Sequence, residues 1–86
     1  MAASTPDGIV VADTLDCSGL LCPLPVYKTA LALGTLEPGD ILELICTDPG
    51  SLEDIPAMAR QRSDILLTSR VDGDTQRFWI EKGTAI

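Results

Sequence analysis

The side chains of this 86-residue chain with the widest chemical reach are its three cysteines, Cys17, Cys22 and Cys46. A thiol can attack as a thiolate, ligate a metal or pair as a disulfide, and its surroundings decide which. The chain has no histidine and no Cys-x-x-Cys, so a zinc site lacks its usual ligand set and no metal or other cofactor is expected. An odd number of cysteines at uneven spacing also makes a poor disulfide framework. Cys22 stands apart because it opens the run Cys22-Pro23-Leu24-Pro25. Two prolines forbid a strand interior but suit a helix entrance, where a missing N–H costs nothing and φ is already near its helical value. The motif thus sets the thiol in a stiff loop at a helix N-terminus, where unpaired N–H groups favour an anion on sulfur. A thiolate is one such anion and a persulfide, R–S–S⁻, is another. Pro23 and Pro25 remove two donors, leaving Leu24 and the first helical turn to supply the N–H groups.

Each remaining candidate has a plainer reading. Cys17, five positions before Cys22, is a small side chain at a strand end or a resolving thiol for it. Cys46 lies in the most apolar stretch and should pack as a small hydrophobe. Asp16, Asp48 and Asp54 each sit beside a turn or a helix start, which suits capping better than an acidic metal cluster. Leu20, Leu21 and Leu24 surround Cys22 with apolar groups, and those left exposed would form a docking patch for a partner's active site. Cys22 itself has the alternative of an inert, partly covered cysteine before a helix.

The elements that position these groups can be read from punctuation and period. Residues 1–8 are small, polar and Pro/Gly-bearing and read as a disordered leader, leaving residues 9–86 as one domain. A first strand is expected over 9–16, from the β-branched Ile9, Val10 and Val11 and the alternation that ends before Ser18-Gly19. A helix begins near Pro25, with Val26, Ala30 and Leu33 as its apolar stripe, Tyr27 and Leu31 alongside, and Lys28 and Ala32 opposite. Glu37-Pro38-Gly39-Asp40 is a turn, and 41–47 is a central strand. Ser51 with Asp54 resembles a capping box, but Pro56 would clash with the carbonyl four residues before it. The expectation is therefore one turn at Ser51 and a regular helix from Asp54 to about Arg62, with Ile55, Met58 and Ala59 inward. Strands at 65–71 and 76–82 are joined through Asp72-Gly73-Asp74, a hairpin signal. The order β-α-β-α-β-β predicts an α/β (α+β) two-layer sandwich, a four-stranded mixed sheet with two helices on one face and the other face partly open.

Composition narrows the partners. There are 13 acidic against 6 basic residues and a formal net charge of −7, the wrong sign for direct nucleic-acid binding. A basic protein partner is better matched. No apolar run approaches the roughly 20 residues that span a bilayer, and no charged segment leading into an apolar run opens the chain, so no membrane association and a cytoplasmic protein are expected. A monomer is expected as well. Phe78, Trp79 and Tyr27 are the only aromatics, which predicts a mostly aliphatic core.

Taken together, Leu15-Asp16, Gly19-Leu20, Cys22-Pro23-Leu24-Pro25, Asp48-Pro49-Gly50-Ser51 and Asp54-Ile55-Pro56 closely resemble the TusA/SirA-like family of sulfur-carrier proteins, over about residues 11–82. The resemblance implies the same two-layer fold. It further implies that sulfur is received as a persulfide on Cys22, with Gly19, Pro23 and Pro25 shaping the motif, and is passed on toward tRNA thiolation, molybdenum cofactor formation or sulfur oxidation. The implied partners are a sulfur donor, such as a cysteine desulfurase or a rhodanese-like protein, and an acceptor in a sulfur relay. Because such a carrier is consumed and regenerated stoichiometrically, terming it a sulfurtransferase enzyme is partly convention. Leu21 stands where the family often has a basic residue, and Met58 and Ala59 where it often has an aromatic or a cysteine. Two other classes stay open from the residues alone. One is an interaction or regulatory module in which Cys22 only shapes the loop; the other is a thiol-redox protein using Cys17 and Cys22.

Overall fold

The computed structural model describes residue 6 and residues 8–84. Most of the expected leader lies outside the described residues, and only its Pro6 and Gly8 fall within them. The elements are β1 (Asp13–Cys17), α1 (Leu24–Gly34), β2 (Ile41–Cys46), α2 (Ser51–Arg62), β3 (Ile65–Asp72) and β4 (Thr75–Glu81). They form one four-stranded sheet in the order β1-β2-β4-β3. β1 runs parallel to β2, and both other pairings are antiparallel. The β-α-β-α-β-β mixed-sheet architecture read from the sequence is the observed one.

Strand alternation sets the core. Leu42, Leu44 and Cys46 of β2 pair with Ile80, Phe78 and Gln76 of β4, and their apolar members join Cys17, Leu33, Ile55 and Met58 in one buried cluster. Trp79, the residue between Phe78 and Ile80, points to the opposite face and is nevertheless fully buried. There the Arg70 guanidinium lies 5.6 Å from the Trp79 ring centroid, a cation–π distance. Beside it, across the β2–β4 pair, Glu43 accepts a hydrogen bond from the Thr14 hydroxyl at 3.1 Å.

Four expectations are corrected. β1 starts at Asp13 rather than Ile9, because its partner strand β2 begins only at Ile41; among the described residues the β-branched run before it pairs with no strand, and Val10 is 83% exposed. The inner stripe of α1 is Pro25, Thr29 and Leu33, four residues apart, with Val26, Ala30 and Ala32 partly buried behind it. Tyr27 and Leu31, expected alongside that stripe, are exposed. Helix α2 is continuous from Ser51 through Pro56: the bond forgone is the one to the Leu52 carbonyl, one residue into the helix. No capping box forms, since Gly50 is the N-cap and the Ser51 hydroxyl bonds the Asp48 carbonyl at 2.8 Å instead.

The last strands behave as read. Asp72 pairs with Thr75, so the turn centre is Gly73-Asp74, with Gly73 at φ 58°. Positive φ at the first central residue alone suits a type II′ turn. At the end of α2, Ser63 is left-handed at φ 65°. Next to it the buried Asp64 carboxylate accepts from Arg62 Nε at 2.8 Å and from the Gly83 N–H at 3.0 Å, tying the residues after β4 to the end of the helix.

Candidate functional site

Parallel pairing of β1 with β2 matches Cys17 with Cys46, so the chain leaves both strands at the same end of the sheet. The loops at residues 18–23 and 47–50 therefore emerge side by side, and cross-loop bonds fix them. The Gly19 N–H donates to Thr47 Oγ1 at 2.8 Å, and the Cys22 N–H donates to Asp48 Oδ2 at 2.8 Å. Gly19 sits at φ 80°, a conformation that side-chain-bearing residues rarely adopt; this is the physical content of its place in the motif. The Cys22–Pro23 peptide is cis, Pro23 is the N-cap of α1, and Pro25 occupies the first turn.

Cys22 is exposed and free, whereas Cys17 and Cys46 are buried. The Cys22 thiol donates to Asp54 Oδ2 at 2.7 Å. Cys22, Pro25, Val26, Asp48, Ser51 and Asp54 line a small pocket, and beside it runs an open groove of about 330 Å³ between α1 and α2, with Met58 and Gln61 on its α2 side. Asp48 has both oxygens engaged, since Oδ1 accepts the Gly50 N–H at 3.1 Å. Asp16 stands apart from this pocket; hydrogen bonding from Ser18 holds its carboxyl below the usual range.

The electrostatics correct one expectation. Position at a helix entrance suggests a stabilised thiolate, yet the Cys22 thiol is pushed upward, first by its hydrogen bond to Asp54, then by desolvation and the negative charges of Asp54 and Asp48. Of the expected first-turn donors, the Leu24 N–H is already given to the Leu21 carbonyl at 2.9 Å. Both carboxylates at the thiol push it in the direction opposite to that expected of a helix end. Burial likewise raises Cys17, and it pushes Cys46 up to about 11. Fully buried against the helices, Cys17 has no surface from which to serve a partner.

The apolar neighbours divide. Leu21 is 71% exposed and Leu24 47% exposed, while Leu20 packs on the core. Tyr27 and Leu31, absent from the sequence-based patch, extend it along the outer face of α1. Asp48 and Asp54 also belong to the site, although the sequence reads them as separate caps. The signal for them lies in the β-α-β order, which brings the ends of parallel strands together. Among the described residues, no group of three or more His, Cys, Asp or Glu side chains is placed to hold a metal ion, and no helix is long and apolar enough to cross a membrane.

Fold and site together define a two-layer α+β domain built to present one thiol at the mouth of a helix. Residues 13–82 match the family model described as sulfurtransferase TusA. The sulfur carrier protein TusA of Allochromatium vinosum is 41% identical over 68 residues, which cover 79% of this chain and 90% of that one. YrkI of Bacillus subtilis, named as a candidate sulfur carrier, is 42% identical over 69 residues, 80% of this chain and 92% of its own. The crystal structure of a SirA-like protein from Desulfitobacterium hafniense superposes with a TM-score of 0.73 at 25% identity, covering 83% of this chain and 97% of that one. The chain belongs to the TusA family.

Proposed function

We propose that this protein is a sulfur carrier that takes up and hands on one sulfur atom as a persulfide on Cys22. The observation that carries the reading is the exposed Cys22 thiol, held over a groove by cross-loop bonds in a chain of the TusA family. Cys22 Sγ attacks the outer sulfur of a donor persulfide, the donor's S–S bond breaks as the Cys22 S–S bond forms, and the donor departs as a thiol. The acceptor thiol then repeats the exchange on the outer sulfur of Cys22. No net oxidation occurs in either step.

The donor is a protein persulfide such as that of a cysteine desulfurase or a rhodanese-like protein, and the acceptor is a cysteine of a downstream relay protein. Both dock over Leu21 and Leu24, continued by Tyr27 and Leu31, with basic groups around the contact to complement the net charge of −7. The exchange is placed in the cytosol, where a reducing pool keeps thiols free. Labelled sulfur supplied from cysteine through a cysteine desulfurase should appear on the protein, be released by reductant, and be absent from a folded Cys22→Ser variant. Equal labelling of that variant would refute the reading.

A further inference from the structure

Sulfur exchange at Cys22, the reading on which this inference rests, moves a proton whenever it moves sulfur. Written in full, Cys22–SH and R–S–SH give Cys22–S–SH and R–SH. One S–S bond breaks and one forms, and the proton that leaves Cys22 must finish on the departing donor sulfur. A thiolate is a basic leaving group, so a positioned acid–base group at this point accelerates the exchange.

One side chain lining the pocket or the groove donates or accepts at the reacting sulfur: Asp54, whose Oδ2 lies 2.7 Å from Cys22 Sγ. The other polar groups lining the pocket are otherwise engaged. Both Asp48 oxygens accept backbone N–H groups, and the Ser51 hydroxyl is bonded to the Asp48 carbonyl and to Gln76 Oε1. Among the described residues, no lysine or arginine lines either space. Asp54 is brought there from α2, 32 positions along the chain, on a helix fixed to the core through Ile55 and Met58.

We propose that Asp54 is a catalytic residue that relays this proton. Its carboxylate takes the proton from Cys22 Sγ as the new S–S bond forms and delivers it to the departing donor thiolate. When an acceptor thiol removes the sulfur, the proton passes from that thiol through Asp54 back to the departing Cys22 sulfur. Between transfers the same contact keeps Cys22 as S–H, a poor target for stray electrophiles, because the thiolate is the reactive form.

The two consequences move in opposite directions, which gives the test. Asp54→Asn removes the base but keeps the shape, and Glu53→Gln, an exposed neighbour on α2, removes the same charge away from the sulfur. Alkylation by iodoacetamide needs only the thiolate, and iodide leaves without a proton. Sulfur uptake from glutathione persulfide needs both. With folding checked by far-UV circular dichroism, Asp54→Asn should alkylate faster than wild type at neutral pH while its sulfur uptake slows by on the order of tenfold or more; Glu53→Gln should leave both rates near wild type. Unchanged or faster uptake in Asp54→Asn would overturn the relay while leaving the carrier reading intact. No uptake by wild-type protein would overturn the carrier reading and the relay with it.

Discussion

The Asp48 carboxylate accepts the Cys22 N–H at 2.8 Å, so the loop that carries the thiol is held by a residue 26 positions further along the chain. The other oxygen holds the Gly50 N–H at the start of α2. One side chain therefore couples the Cys22 loop to the helix that supplies Asp54. An asparagine keeps a single acceptor oxygen and an alanine keeps none. The expected order of hydrogen-exchange protection at the Cys22 amide is wild type, then Asp48→Asn, then Asp48→Ala. The alanine variant should lose about 1 kcal/mol of stability in urea titrations, and its sulfur uptake should fall even though Cys22 is retained.

The groups around the end of α2 make a second prediction, on stability alone. A Cβ at Gly83 would stand 1.9 Å from the Ser63 carbonyl oxygen, and backbone cannot yield as a flexible side-chain tip can. Gly83→Ala should cost about 2 kcal/mol or more. Asp64→Ala should cost a similar amount, because it leaves the Arg62 and Gly83 donors without their acceptor. Neither change touches the thiol, so thermal midpoints should drop while labelling of Cys22 in the folded state stays the same.

Cys46 makes stability depend on alkaline pH. The folded protein keeps its proton to about 11 because of burial, against 9.0 for an unperturbed thiol. Between those values only the unfolded state releases the proton, so stability is fully present below about pH 9 and falls as pH rises toward 11. The loss is on the order of 2 to 3 kcal/mol. Urea midpoints of wild type and Cys46→Ala, compared from about pH 8 to about pH 11, should converge as pH rises, the variant falling less steeply; parallel curves would remove this account of Cys46.

The exposed leucines separate docking from folding. Leu21 is 71% exposed, so Leu21→Asp should change stability by no more than about 0.5 kcal/mol. Transfer from a donor protein should nevertheless slow markedly, while uptake from a small persulfide stays near wild type. Equal slowing with both donors would place the effect at the thiol rather than at the surface.

Much of this molecule is legible in the sequence because local chemistry decides it. The prolines after Cys22 mark a helix entrance, Asp72-Gly73-Asp74 marks a hairpin, and the apolar run from Ile41 becomes the central strand. The features that are not legible depend on tertiary pairing. Strand β1 starts where β2 offers a partner, whatever the β propensity of residues 9–11. Tyr27 and Leu31 fall beside the apolar stripe by type and helical spacing, yet Pro25, Thr29 and Leu33 are the residues buried. Asp48 and Asp54 read as caps because each lies beside a turn or helix start, and only the docking of two distant loops turns them toward Cys22. The same carboxylates reverse the sign of the effect that a helix N-terminus alone would have on the thiol.

The most direct measurement is intact-mass and peptide mapping of the protein after exposure to a cysteine desulfurase and cysteine, without reductant. The account predicts one added sulfur atom per chain, on the peptide bearing Cys22, removed by cyanide as thiocyanate. Added sulfur on Cys17 or Cys46, or an unmodified chain beside an active desulfurase and a competent control carrier, would contradict it.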